Sequence, residues 1–321
     1  MNSLLGNYTS EGGPGLALGD GDGLSSVLAL PNPSWITPGP DGVHYALLED
    51  EAGAAQAFRD SGRLEPVGRR RSSGGSHPCH GAIDPTGRYL VTANYGSGSV
   101  GVLPIGEDGS LGDPVCSLDV EGSGPDEDRQ ESAHPHHVLF AGGRVYVTDL
   151  GADAVHRLAL AADGTLSHAG ATKLPPGFGP RHSIVIGHQI YIAAELTHQI
   201  ARFDLDPDTG ELSDLRLLAL PDSAERDYPS AIVPDAERGV LYVAVRGGDS
   251  VLVVDPETFT VVARRPAGGR WPRDAALAET GRLWVACQFG GVVTEVDMVG
   301  SDDPRVLWTV PGVSRVVPRQ R

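Results

Sequence analysis

Four residues that can move protons or bind anions occur where short apolar segments of the sequence begin or end. His136 and Arg181 each follow a proline that opens such a segment, and Glu195 and Arg246 each close one. Imidazole and carboxylate groups serve as general acids or bases. Arginine offers a planar, permanently charged fork that binds carboxylate or phosphate oxygens in pairs. Together these residue types are typical of a site that binds a small anion and moves a proton on it.

The same two positions can be followed along the sequence, and polar or small residues occupy them. The residues after an opening proline are Ser34, Cys79, His136, Arg181, Ser230 and Arg273. The residues that end the next segment are Asn7, Glu49, Asn94, Asp149, Glu195, Arg246 and Gln288. The predicted substrate-binding residues are Arg273, Asn94, Asp149 and Gln288, joined by Arg129 and Gln130 from a polar insertion at 122–133. The alternative interpretation is structural. These positions would then line the solvated mouth of a central channel, and their charged side chains would form ion pairs with one another.

The spacing of these segments indicates a repeat. The opening prolines, at positions 33, 78, 135, 180, 229 and 272, lie 45, 57, 45, 49 and 43 residues apart. Each interval contains short segments rich in β-branched and aromatic residues, separated by Gly, Pro and Asp, and long helical periodicity is missing. A repeat of about 40–50 residues with four strands is the signature of a β-propeller blade. The 43 glycines and 25 prolines agree with the many turns that such a fold needs.

Six repeats are continuous, and we expect a seventh to be assembled from both ends of the sequence. Residues 4–9 match the second strand of the repeat, residues 15–18 and 24–30 match the third and fourth, and residues 312–317 match the inner strand. Their pairing would close the ring without leaving an open sheet edge. The sequence therefore predicts an all-β, seven-bladed β-propeller of four-stranded antiparallel blades, with one domain over residues 1–321.

Four segments carry motifs of a known family. They are residues 77–100, Arg-Gln-Glu-Ser-Ala-His-Pro-His at 129–136, Gly-Pro-Arg-His at 179–182 and Trp-Pro-Arg-Asp at 271–274. With these motifs the chain resembles, over nearly its whole length, the seven-bladed lactonase family. That family includes the propeller-type 6-phosphogluconolactonases and the fungal carboxy-muconate cyclising enzymes. The resemblance implies a catalytic set of one histidine, two arginines and one glutamate, which falls on His136, Arg181, Arg246 and Glu195.

The resemblance implies a hydrolase of a small anionic sugar lactone such as 6-phosphogluconolactone. We expect no metal and no cofactor. Glu195 or His136 would take a proton from the attacking water, and Arg181 or Arg246 would stabilise the oxyanion. Two alternatives stay open. One is a cycloisomerase or lyase that acts on an unsaturated carboxylic acid of the muconate type at the same site. The other is a non-catalytic binding propeller.

Charge and composition argue against other classes of protein. The net charge of −17 opposes nucleic-acid binding. No apolar stretch approaches 18 residues and no signal peptide is visible, so we expect no membrane span and a cytoplasmic location. The three cysteines suggest neither a disulfide framework nor a zinc cluster, and Cys79 is expected to be a small buried residue.

Histidines cluster beside the opening prolines and raise the question of a metal. They are His77, His80, His134, His137 and His182. Because their strand positions alternate between faces, we expect them to form bonds between blades rather than to hold a metal. We likewise expect Trp35, Trp271 and Trp284 to pack between blades.

Overall fold

The computed structural model describes residues 2–21, 23–221 and 227–319, which form short β-strands and two single-turn 3-10 helices, Thr9–Glu11 and Pro40–Gly42. The first strands are Ser3–Asn7 (β1), Leu16–Asp20 (β2), Gly23–Leu28 (β3), Pro33–Pro38 (β4), Val43–Leu48 (β5), Ala54–Asp60 (β6), Leu64–Pro66 (β7), Arg71–Ser72 (β8), Pro78–Ile83 (β9), Tyr89–Asn94 (β10), Ser99–Pro104 (β11), Cys116–Asp119 (β12), Pro135–Ala141 (β13), Arg144–Asp149 (β14) and Ala154–Leu160 (β15). They are followed by Leu166–Lys173 (β16), Pro180–Ile186 (β17), Gln189–Ala194 (β18), Gln199–Leu205 (β19), Leu212–Ala219 (β20), Tyr228–Asp235 (β21), Val240–Arg246 (β22), Ser250–Asp255 (β23), Thr260–Pro266 (β24), Pro272–Leu277 (β25), Leu283–Cys287 (β26), Val292–Val296 (β27), Arg305–Thr309 (β28) and Val313–Pro318 (β29).

Seven sheets collect these strands. Their orders are β29-β1-β2-β3, β4-β5-β6-β7 with β8 paired to β6, β12-β11-β10-β9, β13-β14-β15-β16, β17-β18-β19-β20, β21-β22-β23-β24 and β25-β26-β27-β28. The prediction of an all-β fold with seven antiparallel blades is confirmed. The strands β4, β9, β13, β17 and β25 each begin on the predicted proline. Proline lacks an N–H group, so it can open a strand without breaking the ladder of hydrogen bonds.

One blade is built from both ends of the chain, as predicted. Strand β29 pairs antiparallel with β1, with Leu5 opposite Val316, and β1 pairs on its other side with β2. Leu5 and Val316 are fully buried and pack in one cluster with Trp284 and Trp308, whose rings meet edge to face at 5.3 Å. The indole groups fill this part of the core, as expected for Trp284.

The chain separates into two compact units. Unit 1 consists of Met1–Ile36, Gly62–Leu64 and Leu218–Arg321, and unit 2 of Thr37–Ser61 and Glu65–Leu217. Unit 1 holds the blade of both chain ends and the sheets that start at β21 and β25. Unit 2 holds the sheets of β9–β12 and β13–β16 and most of the β17–β20 sheet. The single domain over residues 1–321 stays a prediction.

Unit 2 has its own apolar core, built from the faces of its sheets. Phe178, Ile190 and Ile192 are completely buried between strands β14 to β19. A second cluster joins the β9–β12 and β13–β16 sheets through Val91, Val147 and their neighbours. No helix in the described part of the chain has the length and apolar character needed to cross a bilayer.

A mostly buried ion pair joins β25 and β29 within unit 1. Arg315 Nη1 lies 3.0 and 3.1 Å from the carboxylate oxygens of Asp274, and Arg315 Cζ lies 3.8 Å from the ring centre of Trp35. Asp274 also accepts the N–H of Val316 at 3.1 Å. We expect Asp274→Ala to lower the free energy of unfolding by about 3 kcal/mol, because it leaves a buried guanidinium without this carboxylate. Urea denaturation followed by tryptophan fluorescence measures the loss.

The control for this prediction is Arg282→Ala, which removes a surface ion pair of the same unit. Arg282 Nη2 contacts Asp302 at 2.8 Å, and the Asp302 side chain is 64% exposed. Exposed pairs contribute little to stability, so this variant should unfold at the same urea concentration as the wild type. Equal losses in the two variants would contradict a special role for Asp274.

Candidate active site

Each predicted site residue that follows an opening proline lies at a β-bulge, where its strand carries extra residues relative to its partner. The register of β13 against β14 shifts around His136, and that of β17 against β18 shifts around Arg181 and His182. Corresponding shifts surround Cys79 in β9 and Arg273 in β25. A bulge turns a side chain out of the regular alternation of a strand. The bulges therefore aim these side chains independently of the pleat.

Two arginines of unit 2 meet at the carboxylate of Glu195, whose side chain is 4% exposed. Glu195 directly follows β18, and its N–H donates to the carbonyl of Gly179 at 2.8 Å. Arg129 Nη2 donates to Oε1 at 2.7 Å, and Arg181 Nε lies 3.0 Å from Oε2. The predicted residues Arg129, Arg181 and Glu195 are thus brought together, with one guanidinium on each carboxylate oxygen.

The 122–133 insertion delivers Arg129 to this carboxylate. Its backbone turns around Asp126, whose Oδ1 accepts the N–H groups of Asp128 and Arg129. The amide of Gln130 is completely buried and donates to the carbonyl of Leu150 at 2.8 Å and to Asp153 Oδ1 at 2.7 Å. Because Gln130 anchors the loop, the guanidinium beside it is held in place. The predicted contact of Gln130 with a substrate stays a prediction.

Charge on Arg129 is favoured at this position. Burial lowers the pKa of the guanidinium, but the carboxylate of Glu195 and the hydroxyl of Tyr95 raise it by more than burial lowers it. The pKa of Arg129 therefore lies above its usual value. The Arg129 side chain is 37% exposed, against 9% for Arg181. Of the two arginines on Glu195, Arg129 is therefore the one that solvent and dissolved anions reach more easily.

His136 lies in an aromatic and thiol environment within the same unit. The ring of Tyr95 meets it edge to face at 5.7 Å, and Cys79 Sγ lies 3.8 Å from Nδ1 and 3.4 Å from the carbonyl oxygen of His136. Tyr95 in turn stacks on His134 at 4.4 Å, and its hydroxyl lies 3.5 Å from Arg129 Nη2. Cys79 is buried, as predicted.

Tyr95 connects His136 with the Arg129 guanidinium, and it is not among the residues predicted from the sequence. The only signal is its place directly after Asn94, at the end of β10. Burial raises the pKa of its hydroxyl, although Arg129 opposes this. Tyr95 therefore stays a neutral hydrogen-bonding group at physiological pH.

Two other predicted substrate-binding residues of unit 2 are completely buried. Asp149 accepts the N–H groups of His134 and Ala152 and pairs with His156 Nε2 at 2.9 Å. Asn94 Nδ2 donates to Ser73 O and Ser99 Oγ, both at 3.3 Å. Through these bonds Asp149 and Asn94 stabilise the ends of their strands. Their contact with a substrate stays a prediction.

The other predicted site residues belong to unit 1. Arg246 is 4% exposed and donates through Nε and Nη2 to the carbonyls of Tyr228 and Pro229, both at 3.3 Å. Arg273 Nη2 donates to the hydroxyl of Tyr8 at 2.6 Å. Gln288 Nε2 donates to Glu11 Oε1 at 2.8 Å. That these residues share one site with Glu195 stays a prediction.

Three of the histidines form a group, although the sequence predicted that their positions alternate between faces. The ring nitrogens of His80, His137 and His182 include atoms within 4.8 Å of one another. The Nδ1 of His80 accepts the N–H of Val138 at 3.1 Å, so a neutral His80 carries its proton on Nε2. A histidine that binds a metal through Nε2 normally donates from Nδ1, so this bond disfavours a metal. With the contact of His137 Nδ1 to Ser183 Oγ at 3.1 Å, the group fits the predicted bonding between blades.

The histidine group should make the protein sensitive to acid. Burial and the neighbouring His80 and His182 hold the pKa of His137 well below its usual value of 6.5. Below pH 6.5 the unfolded chain takes up a proton that the folded chain refuses, so stability falls as the pH falls. We expect a slope of up to about 1.4 kcal/mol per pH unit from this one group. Denaturant titrations at several pH values between 5 and 8 measure this slope of the unfolding free energy against pH.

His137→Gln should flatten this slope, whereas the exposed His188→Gln serves as the matched control and should keep it. The same slope in His137→Gln as in the wild type would show that other groups cause the acid sensitivity.

Comparisons with known proteins cover most of the chain. Residues 5–299 match the family described as "Lactonase, 7-bladed beta-propeller". The 6-phosphogluconolactonase of Bacillus subtilis is 32% identical over 304 residues, which cover 88% of this chain and 86% of the relative.

Two solved structures share the fold over 98% of both chains. A protein from Lactobacillus plantarum superposes with a TM-score of 0.89 at 26% identity. The periplasmic gluconolactonase of Pseudomonas aeruginosa gives a TM-score of 0.87 at 29% identity.

Proposed function

The chain belongs to the seven-bladed β-propeller lactonase family, and we propose that it hydrolyses 6-phosphogluconolactone or a closely related anionic sugar lactone. The prediction of a lactonase-type enzyme is confirmed at the level of the family. The observation that carries the substrate proposal is the pair of arginines on the buried Glu195 carboxylate, in the unit that also holds His136. Such a group can bind an anion and stabilise a developing oxyanion.

We assign Glu195 to hold the two arginines rather than to take the proton from water. Each of its oxygens already faces a guanidinium, at 2.7 Å for Arg129 and 3.0 Å for Arg181. A water molecule would have to compete with these charged groups before it could donate to the carboxylate. A fixed carboxylate instead keeps both guanidinium planes in a constant orientation, which is what a preorganised anion site requires.

His136 is then the general base. Its imidazole sits at a bulge that aims it out of the strand, with Tyr95 packed against its edge. The oxygen of water adds to the lactone carbonyl carbon while its proton moves to His136. When the tetrahedral intermediate collapses, the ring C–O bond breaks and the leaving ring oxygen receives the proton from His136. The product is the open-chain acid.

The two arginines take different parts in this scheme. Arg181 is the more buried, with one edge on Glu195, and its remaining N–H groups stabilise the oxyanion. Arg129 is more exposed and binds the phosphate or carboxylate of the substrate. Arg246 is the second anion-binding arginine implied by the family motif, and this role stays a prediction.

A direct assay tests the proposal. Hydrolysis of 6-phosphogluconolactone is followed through reduction of NADP⁺ by added 6-phosphogluconate dehydrogenase, and spontaneous hydrolysis is subtracted. Glucono-δ-lactone without the phosphate and a muconate-type acid are assayed in parallel. We expect turnover of the phosphorylated lactone to exceed that of the neutral lactone. Reaction of the muconate-type acid alone would favour the cycloisomerase alternative, and no turnover of any compound would favour a binding propeller.

The remaining predictions from the sequence concern cofactor, partners and location. A small anionic lactone as substrate, no cofactor or metal and a cytoplasmic location stay proposals. The relative from Pseudomonas aeruginosa is described as periplasmic, so the family does not fix the location. Cell fractionation with an antibody to this chain would decide it.

A further inference from the structure

Tyr95 is held in place within unit 2 by both its backbone and its ring. Its N–H donates to the carbonyl of His77 at 3.0 Å, and its own carbonyl lies 2.8 Å from Nδ1 of His134. The imidazole of His134 also stacks on the Tyr95 ring, at 4.4 Å with an angle of 12° between the planes. Because backbone and ring are both fixed, the hydroxyl at the end of the side chain occupies a defined position.

The same contacts hold the end of the loop that carries Arg129. The Nε2 of His134 lies 3.0 Å from Oε1 of Glu131, and the His134 side chain is 7% exposed. Glu131 stands two residues after Arg129 in the insertion. The Tyr95 hydroxyl and the Arg129 guanidinium are therefore positioned by one set of bonds, and the two groups can act on a ligand together.

The Tyr95 hydroxyl offers a proton that the protein does not use. Among residues 2–21, 23–221 and 227–319, none accepts this proton. The hydroxyl lies 3.5 Å from Nη2 of Arg129, and because a guanidinium has only donors, the tyrosine oxygen accepts in this contact. Burial raises the pKa of the hydroxyl, and the opposing effect of Arg129 does not cancel the shift. Tyr95 therefore keeps its proton and can donate it to a ligand.

Arg129 has further unused donors beside this hydroxyl. Its Nη2 donates to Glu195 Oε1 at 2.7 Å. In the part of the chain that the structure describes, the N–H groups of Nε and Nη1 donate to no residue. The Arg129 side chain is 37% exposed, so a dissolved ligand can reach these groups. Arg129 and Tyr95 thus form a patch that presents donors without an acceptor.

The number of oxygens on a ligand decides how well it uses this patch. A carboxylate has two oxygens, and the parallel N–H groups of a single guanidinium bind them as a pair. A phosphoryl group has three terminal oxygens, so it can accept from an additional donor that approaches from another side chain. The Tyr95 hydroxyl is such a donor. A carboxylate bound to the guanidinium would leave it unused.

We propose that Tyr95 and Arg129 together bind the phosphoryl group of the substrate, with the Tyr95 hydroxyl donating to an oxygen that the guanidinium does not contact. Arg129 alone would bind many kinds of anion, whereas the pair selects a phosphate monoester over a carboxylate in the same place. The inference deepens the proposed function and rests on it for the identity of the sugar.

Binding of sugar acids that cannot be hydrolysed tests this assignment apart from catalysis. 6-Phosphogluconate carries the phosphoryl group, glucarate carries a carboxylate at the same end of the carbon chain, and gluconate carries neither. Isothermal titration calorimetry with the full chain measures each dissociation constant. We expect the wild type to bind 6-phosphogluconate about tenfold more tightly than glucarate, because one additional hydrogen bond to a charged group accounts for about a factor of ten.

Tyr95→Phe keeps the ring that stacks on His134 and removes only the hydroxyl. It should raise the dissociation constant of 6-phosphogluconate about tenfold and leave those of glucarate and gluconate within about twofold of the wild type. The matched control is Tyr146→Phe, which removes a hydroxyl whose proton already goes to the carbonyl of Gly210 at 2.8 Å. This control should leave all the dissociation constants unchanged, and circular dichroism checks that both variants are folded.

The outcomes separate this subsite from the proposed function. An unchanged affinity of Tyr95→Phe for 6-phosphogluconate, or no binding of it by the wild type, overturns the subsite whatever the lactonase assay shows. Equal weakening of 6-phosphogluconate and glucarate also overturns it, because Tyr95 would then act only by holding Arg129. A selective loss of 6-phosphogluconate binding in a protein without lactonase activity supports the subsite and refutes the proposed function.

Kinetics give a second measurement if the enzyme is active. Tyr95→Phe should raise KM for the phosphorylated lactone about tenfold with little change in kcat, since a bond to the phosphoryl group is made equally in the ground state and the transition state. A fall in kcat at unchanged KM would contradict the subsite and place Tyr95 at the reacting carbonyl.

Discussion

Replacement of Arg181 by alanine lowers kcat for the phosphorylated lactone by about 10²–10³-fold, which corresponds to about 2.7–4 kcal/mol of transition-state stabilisation. The reason is that Arg181, held by Glu195 at 3.0 Å, supplies the charge that stabilises the oxyanion. KM should change much less, because the ground-state carbonyl carries little charge. Steady-state kinetics with the coupled assay measure both constants, and circular dichroism checks that the variant is folded.

Two further variants sharpen this result. Arg181→Lys keeps the charge but loses the planar fork, so it should recover only part of the activity. Arg216→Ala removes an exposed arginine from the outer strand β20 and should leave kcat unchanged. A wild-type kcat in folded Arg181→Ala would remove Arg181 from the mechanism.

His136→Gln lowers kcat by about 10²–10⁴-fold, the usual contribution of a general base. Glutamine has nearly the same size and hydrogen-bonding capacity, but it cannot accept the proton of water. The bulge at this position leaves the residue outside the regular ladder of β13, so the strand should tolerate the exchange. The rate constants of pre-steady-state turnover give the size of the effect on the chemical step.

The pH profile decides between His136 and Glu195 as the base. The acid limb of kcat/KM reports the ionisation of the base in the free enzyme. In Glu195→Gln this limb should remain, at reduced overall activity, because the arginines lose the carboxylate that orients them. In His136→Gln it should disappear from the residual activity. The reverse pattern would assign the proton transfer to Glu195.

The fold was readable from the sequence because its repeats are local. A proline at the start of an inner strand and a polar residue at the end of the next strand are signals that lie 14–17 residues apart. These signals predict the seven blades, including the one that combines residues 4–9 with residues 312–317. The same signals could not give the sheet partner of the short strand β8, which pairs with β6, since two residues carry no periodicity.

The candidate site was only partly readable. Residue types and spacing identified Arg181 and Glu195, and Arg129 was placed near them only as part of an insertion. The bulges that aim His136 and Arg181 are defined by the register of a neighbouring strand, so they are not a property of the residues themselves. Tyr95 was not predicted as a site residue for a related reason. A tyrosine after a strand looks like ordinary packing until the loop carrying Arg129 is seen to contact it.

The blade made from both ends of the chain can be completed only after nearly the whole chain has been synthesised. Ser3 Oγ donates to the carbonyl of Val317, 314 positions later in the chain. At about 5–20 residues per second, a ribosome needs about 15–60 seconds to make that stretch. During this time β1 has an unpaired edge that can join the strands of other nascent chains. Chaperone demand and yield should therefore depend on how fast translation reaches β29, and a slow codon between residues 290 and 312 would prolong the exposure of that edge.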